Sequence, residues 1–241
     1  MPPASSNQSP PTILILGASR GLGHAIAAEF LKKGWNVIGS VRGEARTKLH
    51  DLADLHQGRV EIERVDINER ARVAALRERL SGRVLDMLFV NAGTTTQDEH
   101  VQIGDVTTEE FMRVMVTNAL SPMRAIEALQ DLVLATGLIG AMSSGQGSIT
   151  NNEKGMREVY RGSKAALNMF MRSFAAREAG EHPMPRSMVL IAPGWIRTEL
   201  GGPDAPFGIE EVVPGVVEVL IAKRGRPGLE YLDRFGRTVP W

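Results

Sequence analysis

Short apolar runs alternate along the chain with longer stretches in which apolar residues recur at helical spacing. The runs, which predict strands, cover residues 12–16, 35–41, 60–65, 86–90, 138–142 and 187–192. Between the first two runs, Leu22, Ile26 and Phe30 share one helical face, and Gly34 marks the helix end. Similar patterns predict helices over residues 69–80, 109–120, 122–134 and 160–179. This order predicts an α/β fold with a doubly wound, mainly parallel sheet of about seven strands and helices on both faces.

The pattern also divides the chain. Residues 1–11, MPPASSNQSPP, contain four prolines and no apolar run, so they are predicted to form a disordered tail. Residues 12–241 have no break in composition and are predicted to form one domain. Ligands of a parallel sheet bind beyond the carboxyl ends of its strands, so functional motifs are sought there.

Composition narrows the classes of function. Lys plus Arg and Asp plus Glu both number 28, which argues against a nucleic acid or an anionic membrane as partner and favours a small molecule. The chain has no cysteine, which excludes disulfides, a cysteine nucleophile and thiolate metal sites. It has no signal peptide pattern or long apolar run, so a cytoplasmic protein is expected. No metal site is predicted, because the histidines show no ligand spacing: His24, His50, His56, His100 and His182.

The turn after the first predicted strand has two interpretations. Gly17-Ala18-Ser19-Arg20-Gly21 fits the G-x-S-x-G elbow of hydrolases, with Ser19 as nucleophile. Gly17, Gly21 and Gly23 also fit a turn that lets the backbone approach a pyrophosphate at a helix N-terminus. A hydrolase elbow needs an oxyanion loop from an earlier strand, and only the proline-rich segment precedes this turn. The phosphate interpretation is therefore favoured over the hydrolase.

Tyr160 and Lys164 are candidates for acid/base chemistry. They are four residues apart in a predicted helix and so share a face. A free tyrosine has a pKa near 10, and a nearby ammonium favours its phenolate. We therefore expect the lysine to lower the pKa of the tyrosine.

Two arginines indicate the cofactor. An NAD enzyme usually places an acid at the end of the second strand, where it binds the ribose 2'-hydroxyl. Here that position holds Val41 and Arg42, and Arg20 lies in the glycine turn. A guanidinium suits a phosphate, so the sequence favours NADP(H) over NAD(H).

The glycine spacing resembles the T-G-x-x-x-G-x-G turn of the short-chain dehydrogenase/reductase family, with Leu16 in place of the threonine. Asn91-Ala92-Gly93 is similar to that family's N-N-A-G, with Val90 at its first position, and residues 193–198 are similar to its P-G segment. Trp195, the two glycines at 201–202 and the terminal YLDRFGRTVPW look most like the C-factor or carbonyl reductase branch. The resemblance implies a Rossmann-type fold and these cofactor-binding residues: Gly17, Ser19, Arg20, Gly21, Leu22, Gly23, Arg42, Asp66, Ile67, Asn91, Ala92, Gly93, Tyr160, Lys164, Pro193, Gly194, Ile196 and Thr198.

The same resemblance implies a catalytic set of Asn118, Ser144, Tyr160 and Lys164, with Ser143 as the alternative to Ser144. The implied reaction is reversible hydride transfer between NADP(H) and a carbonyl or alcohol substrate. The implied assembly is a homodimer or homotetramer. The alternative function is a non-catalytic dinucleotide sensor of the same fold. Residues 199–213 correspond to the family's substrate-covering segment, predicted to be a loop with a short helix.

Overall fold

A computed structural model describes residues 9–181 and 185–241. Seven parallel strands form one sheet in the order β3-β2-β1-β4-β5-β6-β7, which confirms the predicted doubly wound fold class. The strands are β1 (Thr12–Leu16), β2 (Asn36–Val41), β3 (Val60–Arg64), β4 (Leu85–Val90), β5 (Val133–Met142), β6 (Ser187–Ala192) and β7 (Gly228–Asp233).

Helices cover both faces of the sheet. They are α1 (Gly21–Lys32), α2 (Lys48–Leu55), α3 (Arg70–Arg79), α4 (Thr108–Met115), α5 (Ser121–Leu129), α6 (Glu158–Glu181) and α7 (Ile209–Lys223). A π-helical turn, Val116–Leu120, joins α4 to α5, and short 3-10 turns lie at Ile103–Asp105, Gln130–Leu132 and Gly145–Gly147. None of the described helices is long and apolar enough to cross a membrane.

Successive residues of the central strands point to opposite faces of the sheet, so the strands contribute side chains to one apolar core layer on each face. On one face, Leu14 and Leu88 pack among side chains of α3, α5 and α6. On the other face, Ile15 and Phe89 pack among side chains of α1, α2 and α7. Each central strand is therefore buried on both sides, which explains why the strands read as continuous apolar runs.

The register aligns the carboxyl ends of the central strands. Leu16 of β1 pairs with Val90 of β4, and Val90 pairs with Ala141 of β5. The strand order reverses between β1 and β4, and a parallel sheet binds ligands at such a reversal. The turns that follow these strands consequently meet at one edge.

The predicted helix over residues 122–134 is wrong at its end. The helix α5 ends at Leu129, and β5 begins at Val133, five residues before the predicted strand. Val133 pairs with Leu85, and the register then shifts so that Leu138 pairs with Met87. This irregularity interrupts the apolar pattern, which consequently indicated only the buried second half of the strand.

Three elements have no clear sequence pattern. The helix α2 is short, the helix α7 is much longer than the short helix expected after residue 198, and β7 has the mixed sequence GLEYLD.

Of the segment 1–11 that is predicted to be a disordered tail, residues 1–8 lie outside the described residues. His182 also lies outside them. Pro11 accepts a hydrogen bond from the Asn36 amide at 2.8 Å, so the chain is joined to the sheet from this residue onward.

Truncation of two leucines in the same strand tests the burial of β5. Leu138 is fully buried, whereas Leu134 is 40% exposed. We expect Leu138→Ala to lower the free energy of unfolding by about 2–5 kcal/mol, because it leaves a cavity in the core. Leu134→Ala is the control and should change it by less than about 1 kcal/mol. Urea unfolding measures the free energy of unfolding of both variants. An equal decrease in the two variants would contradict the described burial of β5.

Candidate active site

A cleft of about 1290 Å³ opens at the carboxyl ends of the strands. It is lined by the turn after β1, by the ends of β2 to β6, by the start of α6 and by the segment that follows β6. The structure brings all but two of the predicted site residues to this cleft, the exceptions being Gly23 and Asn118.

The glycines of the first turn are required by close backbone contacts. Gly17 has a φ of +91°, and a Cβ at this position would lie 2.8 Å from the Ala92 backbone. A Cβ on Gly23 would lie 2.0 Å from the Gly17 carbonyl oxygen. Gly23 therefore packs beneath the turn and does not line the cleft. These contacts leave room for no larger side chain at either position.

Side chains from neighbouring strands hold the turn. Asn91 donates its Nδ2 hydrogen to the Gly17 carbonyl at 2.9 Å, and the Gly17 amide donates to the Ser40 hydroxyl at 2.8 Å. Sequence reasoning missed Ser40, which lies in the apolar run of β2. It supplies a hydroxyl to a turn in which Leu16 replaces the threonine of the family pattern.

The N-terminus of α1 has features that suit an anion. The helix begins at Gly21 after Arg20, which makes no side-chain capping bond, and the first turn has no acidic residue. The first amide groups of a helix have no partner within the helix and carry a partial positive charge. Here they lie at the wall of the cleft.

The end of the cleft near β2 is basic. Arg42 follows Val41 without an acidic residue and has no ion pair within the described ranges, while Arg20 pairs with Glu199 at 3.0 Å. Lys48, which sequence reasoning missed, lines the cleft at the start of α2. Burial, and then the charge of Lys48, lower the pKa of nearby His24. This end therefore favours a group with negative charge.

Asp66 and Ile67 follow β3 along the same wall. Asp66 accepts a hydrogen bond from the Asn68 amide at 2.9 Å, and the Ile67 side chain is buried. Both residues, which the family resemblance implies are cofactor-binding, therefore lie beside the basic end of the cleft.

Asn118 lies behind the cleft, in the π-helical turn between α4 and α5. Its side chain is fully buried, accepts from the Thr94 amide and donates to the Thr94 carbonyl, both at 2.8 Å. It also donates to the Ser163 hydroxyl at 2.9 Å. Asn118 therefore ties the loop after β4 to α6. The π turn, which breaks the helix predicted over 109–120, allows this side chain to reach both elements.

The structure distinguishes the two serines after β5. Ser143 is buried and donates to Asn168 of α6 at 2.6 Å, whereas Ser144 lines the cleft and accepts from the Gln146 amide at 3.1 Å. The Ser144 carbonyl accepts a hydrogen bond from the buried Tyr231 of β7. Both serines line the cleft, but the Ser143 hydroxyl is bonded to Asn168, so Ser144 is the better candidate to contact a substrate.

Tyr160 and Lys164 share the cleft-facing side of α6, as predicted. The Lys164 ammonium donates to the Met142 carbonyl at 2.9 Å and lies 5.8 Å from the centre of the Tyr160 ring. Burial lowers the pKa of Lys164 to about 8. Burial also raises the pKa of Tyr160, opposed by a hydrogen bond with Ser144 and by the charge of Arg157. The expected lowering by Lys164 is thus wrong for this state of the protein, in which burial dominates.

The segment after β6 closes the remaining side of the cleft. Gly194 has a φ of +104°, and the Trp195 indole donates to the Gly201 carbonyl at 2.6 Å. Ile196 forms a single β-bridge with Phe207, which folds the segment back on itself. Leu200 and the start of α7 complete the wall.

Sequence reasoning also missed Arg113 and Arg157, which both line the cleft, Arg113 beside Thr94 and Arg157 beside Tyr160. Arg113 donates to the Thr94 hydroxyl at 2.8 Å and pairs with Glu110. The sequence carried no signal for Arg157, because it lies before α6 in a left-handed conformation and its place depends on contacts with the loop after β4.

Comparison with known proteins identifies the family. The family model described as short chain dehydrogenase matches residues 11–206. The chain belongs to this family. It is 33% identical over 195 residues to 1-hydroxy-2-glutathionyl-2-methyl-3-butene dehydrogenase of a Rhodococcus strain, which covers 78% of this chain and 79% of that one. It is also 33% identical to C-signal of Myxococcus xanthus, over 65% of this chain and 93% of that protein.

Two solved members of the family are similar throughout. One is from Burkholderia multivorans and was solved with bound NADP; it has 64% identity and a TM-score of 0.94, covering 96% of this chain and all of its own. The other is a carbonyl reductase of Pseudomonas aeruginosa in complex with NADP, at 32% identity and a TM-score of 0.86, covering 97% of this chain and all of its own. This short-chain dehydrogenase thus has relatives among the carbonyl reductases. Membership of an oxidoreductase family excludes the hydrolase interpretation of Ser19.

Proposed function

We propose that this protein is an NADP(H)-dependent oxidoreductase that interconverts a carbonyl compound and the corresponding alcohol. The observation that carries this proposal is the convergence of Ser144, Tyr160 and Lys164 on one cleft. The other end of that cleft has a glycine turn, a helix N-terminus and a guanidinium without a carboxylate partner. An acid/base group and an anion site in one cleft are the two parts that such a reaction needs.

The residues of the cleft fit a phosphorylated dinucleotide. At Gly21, which lines the cleft, nothing lies within 4 Å of the position that a Cβ would take, so the missing side chain leaves space for a pyrophosphate beside the turn. Arg42, Arg20 and Lys48 supply cations for a 2'-phosphate, and no acid at the end of β2 would repel it. The NADP bound to the Burkholderia relative supports the same cofactor.

Each group of the acid/base set has a separate task. Ser144 donates a hydrogen bond to the substrate oxygen and holds it beside the Tyr160 hydroxyl. Tyr160 gives its proton to that oxygen during reduction and takes it back during oxidation. When bound, the nicotinamide supplies or accepts the hydride.

Lys164 and Asn118 support Tyr160 from behind. Of the three donors of the Lys164 ammonium, one bonds Met142, which leaves the others for the ribose hydroxyls of the nucleotide. With a pKa of about 8, Lys164 is mostly protonated at neutral pH. Asn118 fixes the distance between the loop after β4 and α6, and so keeps Lys164 opposite Gly93.

We also propose that a second copy of the chain covers an apolar face on α4 and α6. Phe111 and Met112 of α4, and Met169 and Phe170 of α6, are between 39% and 60% exposed, and the two helices pack together. Large apolar side chains gathered on neighbouring helices are typical of an interface. A symmetric dimer would bury the same face of both copies.

Tyr160→Phe tests the reaction. The variant keeps the ring but loses the proton, so NADPH oxidation with a carbonyl substrate should fall by about 10²–10⁴. NADPH affinity should stay within a few-fold of the wild-type value, measured by nucleotide fluorescence. Turnover is assayed with an aliphatic aldehyde, an aromatic aldehyde and a diketone. A wild-type protein that binds NADPH but reduces none of them is a sensor and contradicts the proposal.

Arg42→Asp tests the cofactor preference. The change removes charge-assisted hydrogen bonds to the 2'-phosphate and adds repulsion, so NADPH affinity should fall at least about tenfold while NADH affinity is kept or improved. Arg64→Asp is the control, since Arg64 ends the neighbouring strand β3 but does not line the cleft. Titrations with both nucleotides measure the effect, and an unchanged NADPH/NADH ratio would refute the role of Arg42.

Phe170→Glu tests the assembly. A charge in the proposed interface must be desolvated on association, so the variant should dissociate toward a monomer at micromolar concentration. Leu55→Glu is the control, because Leu55 is highly exposed on α2, away from this face. Light scattering coupled to size exclusion reports the mass. A monomeric wild-type protein, or equal behaviour of the two variants, would rule out this interface.

A further inference from the structure

The approach to α6 contains an unusual run of backbone conformations. Gly155, Met156 and Arg157 have φ values of +64°, +60° and +53°, and they directly precede the helix. A left-handed conformation costs a non-glycine residue free energy, and two consecutive examples are rare. Such conformations persist only where the surroundings fix them, and they cluster at functional sites.

Contacts on both sides fix this run. Arg161 of α6 donates through Nε to the Met156 carbonyl at 2.9 Å, and its amide donates to the Arg157 carbonyl at 2.9 Å. From the loop after β4, the Glu99 carbonyl accepts from the Arg157 amide at 3.3 Å. The Glu99 carboxylate pairs with the Arg157 guanidinium.

The left-handed backbone places the Arg157 guanidinium beside Tyr160. The Arg157 side chain is only 15% exposed and lines the cleft three residues before Tyr160. Burial raises the pKa of Tyr160 and lowers the pKa of Arg157, and the charge of each group opposes the shift that burial causes in the other. Each group therefore stabilises the charged form of the other.

Other groups face Tyr160 from the elements packed around it. They are Lys164 on α6, Ser144 at the end of β5 and Tyr231 on β7, while Arg161 and Glu99 act on Tyr160 only through Arg157. Among these cations, Lys164 loses its proton as the pH rises through about 8. A guanidinium keeps its charge at every pH at which the protein is folded.

We propose that Arg157 is a positioning residue whose fixed positive charge favours the phenolate of Tyr160, and that Glu99 sets the strength of this effect by pairing with it. The proposal rests on the proposed role of Tyr160 in proton transfer. It adds a second source of charge to that role, located on the turn before the helix. Oxidation of an alcohol begins with the phenolate, so the pair influences the pH at which that direction operates.

The chain contains only two tyrosines, which permits a direct measurement. Protein labelled with ¹³C at tyrosine Cζ gives two resonances, and Tyr160→Phe identifies the one from Tyr160. Its chemical shift is followed with pH in the wild-type protein and in variants. The resonance of Tyr231 serves as an internal check of folding. No substrate or turnover is needed, so failure of the proposed reaction and failure of this inference remain distinguishable.

The variants are expected to shift the titration of Tyr160 in opposite directions. Arg157→Gln removes the cation and should move the midpoint to higher pH, whereas Glu99→Gln leaves the cation unopposed and should move it to lower pH. Arg157→Lys keeps the charge and should restore the wild-type midpoint or nearly so. Arg177→Gln is the control, since Arg177 also lies on α6 in an ion pair, with Glu127, away from the cleft.

Two results would overturn the inference. One is an unchanged midpoint in Glu99→Gln and Arg157→Gln, which would mean that the pair has no electrostatic effect on Tyr160. The other is a shift of both variants in the same direction, which would indicate a structural role of the turn alone. If the Tyr231 resonance shows that Arg157→Gln is not folded, the Glu99→Gln variant tests the inference alone. A Tyr160 midpoint at lower pH in that variant supports the inference, and any other result contradicts it.

Discussion

The contact between the turn after β1 and the turn after β4 is the constraint on which the cleft depends. The Leu16 carbonyl accepts hydrogen bonds from the amides of both Asn91 and Ala92, at 2.9 Å each. Gly17 packs directly on Ala92, and Asn91 reaches back to the Gly17 carbonyl. Two crossover units that wind in opposite directions meet here, and the contact fixes how far apart they lie. The glycine turn and the side chains of Tyr160 and Lys164 therefore share one cleft.

The second half of the cleft depends on α6, which presents Tyr160 and Lys164 from one face. Polar side chains attach this helix to its surroundings, with Asn118 and Ser163 on one side and Asn168 and Ser143 on the other. Buried amide and hydroxyl groups without partners would be costly, so this network specifies one position of the helix. The β7 strand adds a further support, since Tyr231 bonds the Ser144 carbonyl and packs on the ring of Trp241.

Much of this arrangement could be predicted from the sequence, and the exceptions have physical reasons. Strands buried on both faces give apolar runs that are easily recognised, and glycines needed for close contacts have a fixed spacing. The β7 strand lies at the edge of the sheet and contains Glu230, which pairs with Lys223 of α7, so it has no apolar run. The π turn around Asn118 and the left-handed Arg157 depend on contacts distant in sequence, which local propensity does not record. The roles of Ser144 and Asn118 that the family resemblance implies stay predictions, and the dominant effect of burial on the pKa of Tyr160 could be recognised only from the surrounding structure.

Burial of the acid/base pair has an energetic consequence that differs for the two groups. The folded state lowers the pKa of Lys164 from its ordinary value to about 8, so below that pH its charge opposes folding, and the penalty fades as the pH rises toward the unfolded value. The raised pKa of Tyr160 has the opposite effect, since the folded state resists its ionisation above the ordinary value. Both costs arise because Tyr160 and Lys164 are buried, and the favourable packing of the rest of the fold offsets them. A negatively charged nucleotide bound as proposed beside Lys164 would stabilise its ammonium, and this lysine would then couple the proposed nucleotide site to the proposed acid/base site.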